Sequence, residues 1–147
     1  MEFTKELKRE IILDNYQYPR HKGLKKDDNY LSMHMASDSC IDDITVQAKI
    51  EDGIIKDLNF DGVACSISTA STSIMCDMFV GKTIEEAKEI MQNYHNMLFE
   101  AEYNSEQLEE LNAFNELYKQ ANRIKCGEIG FNALDKILKE SETTNEK

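Results

Sequence analysis

The chain has 147 residues, 41% of them hydrophobic and 31% charged, which suits a single soluble domain with enough chain to bury a core. A formal net charge of −11 argues against nucleic acid as a partner, because phosphate binding needs clustered Lys and Arg. There is no apolar run of about 18 residues and no apolar stretch behind Met1 to Glu6, so the expectation is no membrane span, no signal peptide and a cytoplasmic location.

Phe3, Leu7, Ile11 and Ile12 recur at helical spacing over residues 3–16, with Tyr16 closing the stripe. Pro19 and Gly23, within Tyr18-Pro19-Arg20-His21-Lys22-Gly23, end that helix. After a polar stretch over 24–39, Ile44, Val46, Ala48 and Ile50 alternate with polar residues, the pattern of a half-buried strand. Glu51-Asp52-Gly53 makes a turn, and Ile55, Leu58 and Phe60 return as the second arm of a hairpin. Residues 31–37 are expected as an outer third strand.

Residues 66–79 are rich in small hydroxylic side chains, with Ile67, Ala70, Ile74 and Met78 at helical spacing. The expectation here is a helix whose small residues permit close packing, stopped by Gly81 at a C′ position. Thr83-Ile84-Glu85-Glu86 is a capping-box pattern that opens a helix with Ile84, Ala87, Ile90, Met91 and Tyr94 on one face. Residues 95–121 are acidic and expected to be helical, burying Leu108, Leu111, Phe114, Leu117 and Tyr118. A terminal helix after Cys126 carries Ile129, Ala133, Leu134, Ile137 and Leu138. The order of helix, strands, then helices predicts an α+β fold: a small antiparallel three-stranded sheet packed with about five to six helices. One domain over 1–140 and a polar, disordered tail over 141–147 complete the expected organisation.

Four cysteines in such a chain point to metal binding or reactive thiols rather than to disulfides. Cys40 and Asp42 are two residues apart, so in an extended segment their side chains leave the same face. Cys65 follows a strand-like run and opens a helix, and Cys126 is expected to open the last one. A thiol at a helix N-terminus meets unsatisfied N–H groups and the positive end of the dipole, which favours the thiolate. Three thiolates and a carboxylate make a four-ligand set for zinc, or for an iron–sulfur site in which Asp replaces one Cys. No Cys-x-x-Cys pair is present, and small apolar cysteines filling a core remain the alternative at this point.

Four fragments in order carry a resemblance over about residues 8–137. They are Ile11-Ile12-Leu13-Asp14-Asn15-Tyr16 with Pro19-Arg20-His21-Lys22-Gly23, then Cys40-Ile41-Asp42, then Phe60-Asp61-Gly62-Val63-Ala64-Cys65-Ser66-Ile67-Ser68, then Arg123-Ile124-Lys125-Cys126. The chain resembles the IscU/NifU N-terminal family of iron–sulfur cluster assembly proteins, and within it the SufU branch. Lys125 stands where IscU-type scaffolds carry a His, and the long acidic stretch between Cys65 and Cys126 is also similar to SufU. The family usually has Cys-Gly-Asp, whereas Ile41 stands here in place of the glycine.

The resemblance implies a zinc-dependent sulfur acceptor, a sulfurtransferase-type protein rather than a free-standing enzyme. It implies Cys40, Asp42, Cys65 and Cys126 as metal ligands and Cys40 as the residue that takes persulfide sulfur. The implied partners are a SufS-like cysteine desulfurase, itself a pyridoxal-phosphate enzyme, and downstream iron–sulfur assembly proteins. The alternative is a scaffold that binds iron or a nascent [2Fe–2S] cluster at the same four residues. Cys76 is expected in the core and Asp43 is the nearest competitor of Asp42. The basic residues Lys5, Lys8 and Arg9 are a candidate docking patch.

Overall fold

The computed structural model describes residues 3–36 and 41–145. Its elements are α1 (Lys5–Gln17), β1 (Leu31–Ala36), β2 (Asp43–Glu51), β3 (Ile54–Val63), α2 (Ser66–Phe79), α3 (Ile84–Leu98), α4 (Ser105–Leu108) and α5 (Ala121–Asn145). Two 3₁₀ turns, Glu109–Phe114 and Leu117–Lys119, lie between α4 and α5. The expected α+β class with a three-stranded antiparallel sheet is what the chain forms, in the order β1-β2-β3.

Ile44, Val46 and Ala48 on β2 pair with Met35, Met33 and Leu31 on β1, and across β3 with Gly62, Phe60 and Leu58. Alternation sends this whole set to one face, where the helices cover it. Ile55 and Leu58 are three apart yet both buried, because a bulge at Lys49/Ile50 shifts the register. On the opposite face Gln47 and Asn59 are also buried. Residues 21–23 pair in parallel with the outer edge of β3, where Gly23 N donates to Phe60 O at 2.8 Å, and Lys25 N then donates to Gln47 Oε1 at 2.7 Å.

Helix α2 lies against α1 and α5, and its buried residues include Ser68, Thr69, Ala70, Ser71, Thr72 and Ser73. The small side chains do permit the close approach that the composition predicts. A Cβ on Gly130 of α5 would sit 2.3 Å from Thr72 Oγ1, so the two helices meet where one has no side chain. Leu134, Ile137 and Leu138 of α5 complete the core with Phe79, Tyr94 and Phe131. The Thr83 capping box forms as expected, with Glu86 N donating to Thr83 Oγ1 at 3.1 Å and Thr83 N to Glu86 Oε1 at 3.1 Å.

Four expectations need correction. Tyr16 does not close a buried stripe; it is 45% exposed, and Asn15 is the buried residue of α1. Residues 95–121 are not one helix: α3 ends at Leu98, Glu100 takes a positive φ, and the chain continues in short turns. Buried Leu108, Leu111, Phe114 and Leu117 recur every third residue, the period of a 3₁₀ helix rather than of an α-helix. The final helix begins at Ala121, not after Cys126, because no helix breaker stands between Ala121 and Cys126. It also continues past residue 140 to Asn145, with Ser141 buried and Glu142 paired to Lys88 of α3. Among the described residues no helix is long and apolar enough to cross a membrane.

Candidate metal centre

Three elements end at one place. The segment entering β2 brings Asp42, the turn from β3 into α2 brings Cys65, and the second turn of α5 brings Cys126. Gly62 allows the first two to meet. Its φ is +130°, and a Cβ there would lie 2.0 Å from the backbone oxygen of Asp43. Only glycine fits that approach, which draws the end of β3 tightly against the start of β2.

Cys65 is the N-cap of α2, with extended backbone at φ −71° and ψ 172°, and its sulfur accepts from Ser68 N at 3.5 Å. The expectation of a thiol facing a helix N-terminus holds for Cys65 in its position. It fails for Cys126, which sits inside α5 and is nearly fully buried. Its place at the site comes from helix packing, not from a helix end.

Asp42 is 2% exposed, yet its carboxylate is well supplied with donors. Cys65 N donates to Oδ1 at 2.9 Å and Ser68 Oγ donates to Oδ2. Burial pulls the Asp42 carboxyl upward, but the bonds from Ser68, from the Cys65 amide and from the Cys126 and Cys65 thiols outweigh it, so the group lies below the ordinary carboxylate range. Asp42 is therefore held in its charged form although it is buried.

One ligand atom each from Asp42, Cys65 and Cys126 lies within 4.8 Å of the others. Zinc bonded to sulfur at about 2.3 Å in a tetrahedron sets neighbouring ligand atoms about 3.8 Å apart. An upper limit of 4.8 Å lies within about 1 Å of that spacing, and two sulfurs with one carboxylate suit zinc or iron. The residues present fit such a group. Cys40, the expected fourth donor, lies outside the described residues.

The competitors are placed elsewhere. Asp43 points to the other side of β2, where His34 Nε2 is 2.6 Å from its Oδ1. His21 pairs with Asp77 at 3.5 Å and His95 with Glu128 at 2.7 Å, so the three histidines serve carboxylates away from the thiols. Cys76 is fully buried and burial pushes its thiol strongly up, as expected of a core sulfur. Among the basic residues, Lys8 is held by Glu116 at 3.0 Å, whereas Lys5 and Arg9 line a hollow of about 390 Å³ with Ile12, Leu13 and Ser66. Two large apolar side chains, Ile41 just before Asp42 and Val63 two residues before Cys65, are also exposed, at 65% and 66%.

Ser68 escaped the sequence reading, which took the hydroxyls of α2 as packing. The available signal was its spacing: it is the third residue after the capping Cys65, the position that faces a cap.

An antiparallel three-stranded sheet under helices, with two cysteines and an aspartate gathered at one end of its strands, defines a small α+β protein with a candidate metal site. The chain belongs to the family of the NifU-like N-terminal domain, whose model matches residues 7–140. It is similar to the zinc-dependent sulfurtransferase SufU of Bacillus subtilis, with 34% identity over 140 residues, 95% of this chain and 94% of that protein. It is also similar to the iron–sulfur cluster assembly scaffold protein IscU of Thermotoga maritima, with 30% identity over 130 residues, 88% of this chain and 91% of that one. Among solved structures, a hypothetical protein aligns with a TM-score of 0.84 at 30% identity, over 92% of this chain and 99% of that chain. The resemblance to the iron–sulfur cluster assembly family read from the four sequence fragments is thus borne out.

Proposed function

We propose that this chain accepts sulfur from a cysteine desulfurase during iron–sulfur cluster assembly, with Cys40 as acceptor and zinc held by Cys40, Asp42, Cys65 and Cys126. The observation that carries this reading is the convergence of Asp42, Cys65 and Cys126 within 4.8 Å. Cys40 is two residues before Asp42, so covalent geometry keeps its Cα within about 7 Å of the Asp42 Cα. The similarity to a protein named a zinc-dependent sulfurtransferase, over nearly the full length of both chains, supports the same assignment.

Bound zinc would lower the thiol pKa values, so that the cysteines stand as thiolates at neutral pH. The chain's own residues do the rest. The Cys65 amide and the Ser68 hydroxyl hold the Asp42 carboxylate in place. Cys40, as thiolate, attacks the outer sulfur of the persulfide on the desulfurase. A sulfur–sulfur bond forms on Cys40 as the donor's sulfur–sulfur bond breaks, and the desulfurase cysteine leaves as a thiolate. The exchange needs no external oxidant or reductant.

The test is cysteine turnover by the cognate desulfurase, with and without the zinc-loaded protein, in mild reductant and without iron. Stimulation that disappears in Cys40→Ser, with fold and zinc retained, is the expected result. Absence of stimulation by the unaltered protein refutes the sulfur-acceptor reading. A second reading, a scaffold for a [2Fe–2S] cluster at the same residues, is favoured by the similarity to the T. maritima scaffold protein. It predicts a visible cluster spectrum on anaerobic addition of iron and sulfide, lost in Cys65→Ala.

A further inference from the structure

A carboxylate has two free torsions, and a buried metal ligand must present one oxygen to one point. Asp42 is fixed at both oxygens by the N-terminal turn of α2: Oδ1 by the amide of Cys65, Oδ2 by the hydroxyl of Ser68. Among the described residues no Lys, Arg or His forms an ion pair with it. The backbone donor is a consequence of the N-cap and survives any side-chain change at residue 68. The hydroxyl does not.

Ser68 is itself 0% exposed, and its Oγ also lies 3.3 Å from Cys65 Sγ. A carboxylate oxygen accepts only, so the single hydroxyl proton of Ser68 is directed to Asp42, and the oxygen's lone pairs face the sulfur. One side chain therefore touches two of the three converging ligands while offering no ligand of its own to the cluster. We propose that Ser68 is a positioning residue for the metal centre, setting the rotation of the Asp42 carboxylate and spacing it from Cys65. This rests on the metal-site reading above. Groups that orient a ligand in this way typically contribute a factor of about 10–100 to metal affinity.

The control lies one turn further along α2. Ser71 is equally buried, and its hydroxyl donates to Ser68 O at 3.2 Å without reaching Asp42. The experiment measures zinc affinity by competition with a chromophoric chelator, and the visible spectrum of the cobalt-substituted protein, for the unaltered chain, Ser68→Ala, Ser71→Ala, Asp42→Ala and the double variant Ser68→Ala/Asp42→Ala. Ser68→Ala is expected to weaken zinc binding about 10–100-fold and to shift the cobalt bands. Ser71→Ala is expected to leave both within twofold. Adding Ser68→Ala to Asp42→Ala is expected to cost nothing further, because Ser68 acts through that carboxylate.

Unchanged affinity and spectrum in Ser68→Ala, or an equal loss in Ser71→Ala, would overturn the inference while leaving the metal reading intact. An unaltered chain that binds no zinc would overturn both. The unaltered protein also supplies a reading if Ser68→Ala does not fold. The Ser68 hydroxyl proton should be slow to exchange in NMR spectra and should keep its contacts to Cys65 after zinc is added. Its loss on zinc addition would refute the positioning role.

Discussion

Gly62→Ala is the sharpest test of how the fold builds the site. The added Cβ would lie 2.0 Å from Asp43 O, 3.0 Å from Asp43 C and 3.1 Å from Ile44 Cα, all of them backbone atoms that have no rotamer to escape into. Carbon–oxygen contacts rest at about 3.3 Å, so β2 and β3 must part by more than about 1 Å at the Asp43–Val63 end of the ladder. Backbone strain at this φ costs about 1–3 kcal/mol. Weakening two ladder hydrogen bonds adds about 0.5–1.5 kcal/mol each. The sum is about 2–6 kcal/mol, and at about 2–4 °C per kcal/mol the melting temperature falls by about 10 °C. Gly53→Ala is the companion variant. Gly53 also has positive φ, at +73°, but nothing lies within 4 Å of its would-be Cβ, so it carries only the strain of about 1–2 kcal/mol. Urea and thermal denaturation of both variants, with zinc affinity in parallel, separate the steric part from the strain. Equal losses in the two variants, or a Gly62→Ala protein within 1 kcal/mol of the parent (an order-of-magnitude threshold, about 3 °C), would refute the reasoning.

The Asp57 carboxyl is raised by burial but more strongly lowered by Tyr30, Lys25 and Asn59, and stands at about 2. Its stabilisation is complete above the unfolded value near 4 and is lost as pH falls toward 2. The gap in unfolding free energy from urea titrations between the parent and Asp57→Asn should therefore shrink from at most about 2 kcal/mol at pH 6 to roughly a third of that at about pH 2.5, vanishing only below both pKa values; a constant gap would contradict this. Thr83→Ala removes the side-chain half of the α3 capping box, the bond from Glu86 N to Thr83 Oγ1, and should cost about 1 kcal/mol in chemical denaturation, with zinc affinity untouched. Asp42→Ala and Cys126→Ala should each weaken zinc uptake measured by metal analysis after gel filtration, while Cys76→Ala should leave it unchanged. A fall in Cys76→Ala equal to that in Cys126→Ala would undo the distinction drawn between site and core sulfurs.

Local chemistry announced much of the fold. The alternation of Ile44, Val46 and Ala48 specified a half-buried strand, Glu51-Asp52-Gly53 its turn, and Thr83 with Glu86 a helix start, because each depends on neighbours within a few residues. Cys65 as a helix cap was legible for the same reason. The stretch over 95–121 was not, since helical propensity is local but the break at Leu98 follows from burying every third side chain against the core.

The sequence by itself determined the membership of the family and the residue types of the site: sulfurs and carboxylates separated by tens of residues, in a chain with strand and helix patterns between them. It pointed to Asp42 ahead of Asp43 by resemblance alone, and could not show which side chains the strands and helices bring together or how Cys126, inside a helix rather than at its end, comes to face Cys65. Those questions are decided by strand register, by Gly62 yielding to the Asp43 carbonyl, and by Gly130 letting α5 close on Thr72 of α2. Such contacts join residues far apart in the chain. Their energies depend on distances that exist only after the sheet and both helices have packed.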